Sequence, residues 1–166
     1  MYALKPISHD SVAGALSKAE RYRLLNEPGE AESICRDILE IEPANQQALV
    51  SLILALTDQI GHNPRAFDAA KAMVVRLASA YDRAYYAGIA WERRAKARHG
   101  GSGHSSNRYA YDWLVTALDL FEEAEHVRAP GNDDAILRWN ACVRYLNAFK
   151  DLVPAPEETP EPIVSE

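Results

Sequence analysis

The feature that most constrains this chain is a helical period that recurs along its length, each time closed off by turn chemistry. Apolar residues return every three or four positions, as in Ala31, Ile34, Cys35, Ile38, Leu39 and Ile41, the spacing of one face of an α-helix. No stretch alternates apolar and polar residues over a useful length, so no sheet is expected. The strings "NEPGE", "EPAN", "GHNP" and "RAPGND" punctuate the pattern, because proline lacks a backbone donor and disfavours the helical conformation in the residue before it. Seven helical segments result, at roughly 11–26, 28–41, 48–60, 65–80, 82–98, 107–127 and 135–149. The fourth and fifth meet near "SAYDRAY" with neither Pro nor Gly between them. The third, "ALVSLILALTDQI", is apolar almost all round, which predicts a helix covered on more than one side.

A chain of 166 residues fits one domain, with 48% hydrophobic and 25% charged residues, a composition that excludes general disorder. The one long apolar run, Ala48 to Leu56, is too short to span a bilayer, and "MYALKPISHDSVAG" has no apolar core of a secretory signal. A cytoplasmic location is the expectation. Cys35 and Cys142 sit in apolar helical patterns without metal or redox spacing, so both read as core thiols. The charge of −6 is uneven: five of the 24 acids lie in 151–166 with no base, leaving 19 acids against 18 bases in the body. With prolines at 154, 156, 160 and 162, that segment cannot build a helix. The expected organisation is an N-terminal arm (1–10), one helical domain (11–149) and an acidic, Pro-rich disordered tail (150–166).

Taking residue 12 as the start of a 34-residue unit places Ala15, Tyr22, Ala31 and Pro43 at the contact, aromatic, alanine and terminal-proline positions of a known repeat. Residues 12–45, closing on "ILEIEPANQQAL", resemble a tetratricopeptide repeat. A looser unit from 46 carries Leu49, Leu52, Ile53 and Leu56, with "GHNPRAF" inserted. A third from about 81 matches Gly88 and Trp91, then takes a glycine-rich insertion. The resemblance covers about 10–149 and implies a short right-handed solenoid of antiparallel helix pairs, ended by a capping half repeat. Stacked pairs share a continuous core that an isolated pair lacks. A compact irregular bundle is the alternative.

In that family, first-helix side chains line a concave groove that holds a peptide or helix. Carried over, the groove comprises Leu16, Glu20, Arg23, Val50, Leu54, Tyr85, Ile89, Glu92 and Arg93, an apolar stripe with charged ends. The competing reading makes Val50 and Leu54 ordinary core beneath the final helix. Leu16 and Glu20 stand where carboxylate-clamping relatives carry Lys and Asn, so recognition of a chaperone tail is not expected.

The loop "RHGGSGHSSNRYAYDW" lacks the lysine and flanking strand of a phosphate loop, and His99 and His104 match no structural zinc spacing. It reads as slack between two helices. "RRAKARH" before it opposes Asp112, Asp119, Glu122, Glu123 and Glu125 after it, charges that could pair across an antiparallel hairpin. Arg93, Arg94, Lys96 and Arg98, with Tyr85, Tyr86, Trp91, Tyr109 and Tyr111, have the residue types for stacking and phosphate contact, but the near-neutral body argues against nucleic acid. Arg94, Lys96 and Arg98 could instead receive an acidic partner or the chain's own "PEETPEPIVSE". No nucleophile elbow or paired-carboxylate spacing stands out. The expectation is a non-catalytic protein-binding module without cofactor or metal, with a self-assembling scaffold as the alternative.

Overall fold

The structure is a computed structural model that describes residues 2–99 and 104–154. Among them lie seven α-helices, α1 (Val12–Leu24), α2 (Pro28–Ile41), α3 (Gln46–Asp58), α4 (Ala66–Val74), α5 (Ala80–His99), α6 (His104–His126) and α7 (Asp134–Ala148). A short 3-10 turn, His9–Ser11, precedes α1, and no described residue is in a strand. The all-helical expectation therefore holds. Among the described residues no helix is long and apolar enough to cross a membrane.

Local chemistry explains most of the boundaries. Asn26, just past α1, adopts φ 61°, a left-handed conformation that asparagine tolerates, and Pro28 opens α2, where its missing N–H has no partner to lose. Asn45 caps α3: its Oδ1 accepts from the Ala48 N–H at 2.9 Å while its Nδ2 donates to Glu42 at 2.7 Å. Pro43 thus lies in the turn before the cap. Gly131, at φ 82°, reverses the chain between α6 and α7. The apolar pattern predicts a fourth helix reaching Ala80, yet α4 stops at Val74. Ser79 Oγ then accepts from the Asp82 N–H at 3.3 Å, starting α5. The intervening turn is tied to the α2–α3 turn, where Arg76 donates to the Pro43 carbonyl at 2.7 Å and Ala78 N–H to Gln46 Oε1 at 2.8 Å.

Each helix packs on the next in sequence, and α1 also meets α3, α3 meets α5, and α5 meets α7. Helix α3 is therefore flanked by four others, which is why it buries Leu49, Leu52, Ile53 and Leu56 on several sides. Those side chains join Cys35, Ile38 and Leu77 in a first core from α1–α4 and the turn after them. A second core, centred on Ile89, Leu114, Phe121 and Cys142, lies among α5, α6 and α7. The α5–α6 contact is the most extensive, and Gly88 permits it: a Cβ there would stand 2.6–3.0 Å from three carbons of the Phe121 ring.

Two expectations about the ends need correction. Residues 150–152 do not leave the body as tail, because Leu152 is only 5% exposed against the second core and Asp151 accepts from Asn107 Nδ2 at 2.8 Å. Residues 155–166 of the acidic segment and residues 100–103 of the loop lie outside the described residues. Helix α7 buries Ala135 and Cys142, and its opposite side exposes Leu137 (62%), an apolar residue where a terminal cap is expected to be polar; Trp139, nearer the buried side, is 38% exposed. At the other end Ile7, in the N-terminal arm, is half-buried on the first core.

Candidate functional site

Because α1, α3 and α5 pack side by side, their N-terminal halves enclose an open groove of about 800 Å³. Its apolar surface comes from Val12, Ala13 and Leu16 of α1, Val50 of α3 and Tyr86 of α5. Its polar groups are Ser17, Asn45, Gln46, Gln47 and Ser51, with Asp10, Glu20 and Asp82 around the rim and His9 at one corner. His9 is turned toward Glu42, Nδ1 to Oε1 3.3 Å. Burial pushes the Tyr86 phenol up to about 12, with Asp82 adding to it, so the hydroxyl is neutral at any ordinary pH. Desolvation likewise raises the Asp82 carboxyl above its usual value.

The residues predicted from sequence divide into two groups. Leu16 and Val50 are half-buried and line the groove, with Glu20 exposed on its rim. Arg23 and Arg93 lie outside the lining: Arg23 donates from Nε to Asp58 at 2.8 Å, and Arg93 reaches the same carboxylate, the Thr57 hydroxyl and the Leu54 carbonyl. This network ties α1, α3 and α5 together at their C-terminal ends. The other four residues point elsewhere. Leu54 and Tyr85 pack on the second core, where the Tyr85 ring lies 6.0 Å from that of Phe121. Ile89 is 1% exposed beneath α6 and α7. Glu92 is 2% exposed, accepting from Lys96 at 2.6 Å and Arg138 of α7 at 3.4 Å.

Sequence reasoning missed most of the lining, including Asp10, Val12, Ala13, Ser17, Gln47 and Ser51, and on α5 it missed Asp82 and Tyr86. Neighbouring residues on a helix differ by about 100° in direction, so a choice of Tyr86 over Tyr85 changes the surface to which the side chain belongs. The available signal was Ser79: starting the helix at its cap places Asp82 and Tyr86 one turn apart on one face.

The basic end of α5 is also more committed than its sequence suggests. The Arg94 guanidinium sits between the rings of Phe67 and Trp113, 4.0 and 4.1 Å from their centroids. Lys96 belongs to the Glu92 pair and lies 5.1 Å from the Tyr145 ring centre; Arg98 lies 5.9 Å from that of Tyr109. The expected pairing across the hairpin is thus replaced, for Arg93, Arg94 and Lys96, by Asp58, aromatic faces and Glu92. The expected contact with "PEETPEPIVSE" lies outside the described residues, as does the His104 side chain.

A second polar cluster was not foreseen. His99, at the end of α5, donates from Nε2 to Asp151 at 3.2 Å while its Nδ1 stands 2.7 Å from the Tyr145 hydroxyl. The rings of Tyr145 and Phe149 meet the imidazole edge to face, with centroids 5.6 and 4.7 Å away. The hydrogen bond from His99 holds the Asp151 carboxyl below its ordinary value, whereas burial moves the Tyr145 phenol upward, away from the ionised form a nucleophile needs. The cluster fastens residues 151–152 to α5 and α7.

The chain matches no protein-family model, no curated protein and no solved structure.

Proposed function

We propose that this chain is a non-catalytic, tetratricopeptide-like binding module that receives a helix or peptide of a partner protein in the groove between α1, α3 and the N-terminal half of α5. The observation that carries the reading is an 800 Å³ recess with Leu16, Val50 and Tyr86 presented to it. Packing of each helix on its successor, with α1 on α3 and α3 on α5, supports the paired-helix architecture of that family. Helix-in-groove binding needs an apolar floor for anchors and polar groups at the rim for orientation, and this recess has both.

The test places a photo-crosslinking side chain at Ala13, an exposed position in the groove wall, in the full chain in its native lysate. One partner is expected to crosslink from position 13 and to be lost in a Val50→Glu background. Equal capture with and without Val50→Glu removes the groove from the account.

The outward face of α7 supports a second reading, self-assembly into a scaffold. Leu137 is 62% exposed there, and Trp139 exposes part of its ring on the flank of the same helix. Sedimentation of the wild type against Leu137→Arg tests it: a concentration-dependent oligomer dissolved by the substitution supports assembly, and a monomer at all concentrations rejects it.

A further inference from the structure

We infer that the occupant of the groove is a cationic amphipathic helix, its apolar stripe on Leu16, Val50 and Tyr86 and its lysines or arginines beside Asp10, Glu20 and Asp82. This rests on the groove reading above and adds the chemistry of the partner.

Charge is the first argument. The lining contains three carboxylates and no lysine or arginine, and its one histidine faces Glu42. Asp10, Glu20 and Asp82 form no ion pair among the described residues, as holds also for acids such as Asp37 and Asp112, but these three surround one recess that offers them no lysine or arginine. Asp82 is half-buried against the tyrosine wall, with its backbone N–H on Ser79 and its carboxylate facing the recess. A carboxylate that has lost part of its hydration without gaining a counter-charge favours a cation arriving beside it. Asp82 in the first turn of α5 also suits that helix's dipole, but Glu20 stands well inside α1, where that explanation does not reach.

Backbone chemistry is the second. An extended peptide brings N–H and C=O groups that need partners along the groove, whereas a helix satisfies its own. Three of the five serine, asparagine and glutamine side chains that line the recess are already occupied. Asn45 bonds Ala48 and Glu42, Gln46 bonds Ala44 and Ala78, and Ser17 donates to the Ala13 carbonyl.

A second copy of the chain does not fit the same description. Its most basic helix end has Arg93 on Asp58, Arg94 between two rings and Lys96 on Glu92, and two copies each carrying −6 repel. The partner is therefore a different protein.

The experiment selects binders to the full chain from a displayed library of random 16-residue peptides, then measures each binder by fluorescence anisotropy. Peptides whose binding is lost in Val50→Glu report on the groove. They are expected to carry net positive charge, to gain helicity on binding, and to lose about tenfold or more in affinity to the triple variant Asp10→Asn, Glu20→Gln, Asp82→Asn. Neutralising Asp112, Asp119 and Glu122 on α6 instead is expected to leave affinity unchanged. Groove-dependent binders that are neutral or acidic, or indifferent to the triple variant, overturn the cationic partner and leave the groove standing. If no selected binder responds to Val50→Glu, both readings fall.

Discussion

Helix α5 belongs to two regions that treat its side chains in opposite ways. Toward α1–α4 the neighbouring core is aliphatic, built from Ile38, Leu49, Leu52, Ile53 and Leu56, and the side chains of Asp82 and Tyr86 border an open recess. Toward α6 and α7 the core is aromatic and partly charged, built around Phe121, Tyr85, Tyr145 and the buried Glu92, and it closes over Ile89. Positions that a repeat pattern treats as equivalent are therefore surface in one half and interior in the other. What decides between them is whether another helix lies on top, and α7 does so only over the second half.

The largest test of this contrast is Phe121→Ala, expected to cost about 3–5 kcal/mol as a fully buried ring is removed. All three tryptophans, Trp91, Trp113 and Trp139, lie on α5–α7. In urea, tryptophan fluorescence of this variant is expected to change before the far-UV circular dichroism of the whole chain, because contacts in the two halves are largely separate. Coincident transitions would instead make the two cores one cooperative unit.

Glu92→Gln should cost less, about 1–3 kcal/mol, since Lys96 and Arg138 remain about a third exposed and can be hydrated once the carboxylate is gone. Chemical denaturation gives the value, and a neutral outcome would remove the buried pair from the forces that hold α7 down. Two glycines then give a comparison of opposite sign. Gly88→Ala drives a methyl into the Phe121 ring and is expected to destabilise by about 1 kcal/mol after the better helix propensity of alanine is counted. Gly14→Ala in α1 meets no atom within 4 Å and is expected to stabilise by roughly 0.5–1 kcal/mol. Equal shifts in melting temperature for both would contradict the close approach of α5 and α6.

The smallest effect concerns the two thiols, one in each core. Burial pushes Cys35 up to about 11 and Cys142 to about 12, from 9.0. The folded state thus holds these protons more tightly, and their contribution is fully present below pH 9 and lost as pH rises toward 11 and 12. Iodoacetamide at pH 8 is expected to modify neither cysteine until urea is added, and labelling of native protein at either site would show that its core opens readily.

The sequence made the helices legible because their causes are local. Apolar spacing set the faces of α2 and α3, and Pro28, Asn45 and Gly131 act within a few residues of themselves. The α4–α5 junction was harder, since its marker is the single hydroxyl of Ser79. The site was half legible. Leu16, Glu20 and Val50, expected from a family resemblance, do line the recess. Tyr85, Ile89 and Glu92 do not, because their fate depends on α6 and α7, whose approach is a long-range packing event that no short window of sequence encodes.

The most direct measurement is thermal unfolding of Val50→Glu beside Ile89→Glu. If Val50 faces an open groove, its glutamate keeps access to water and the melting temperature falls by only a few degrees, about 1 kcal/mol. Ile89, 1% exposed under α6 and α7, has no such access, and its glutamate is expected to cost roughly 4 kcal/mol or more and about 10 °C, or to prevent folding. Equal and large losses in both variants would contradict the account, making the groove as closed as the core beside it.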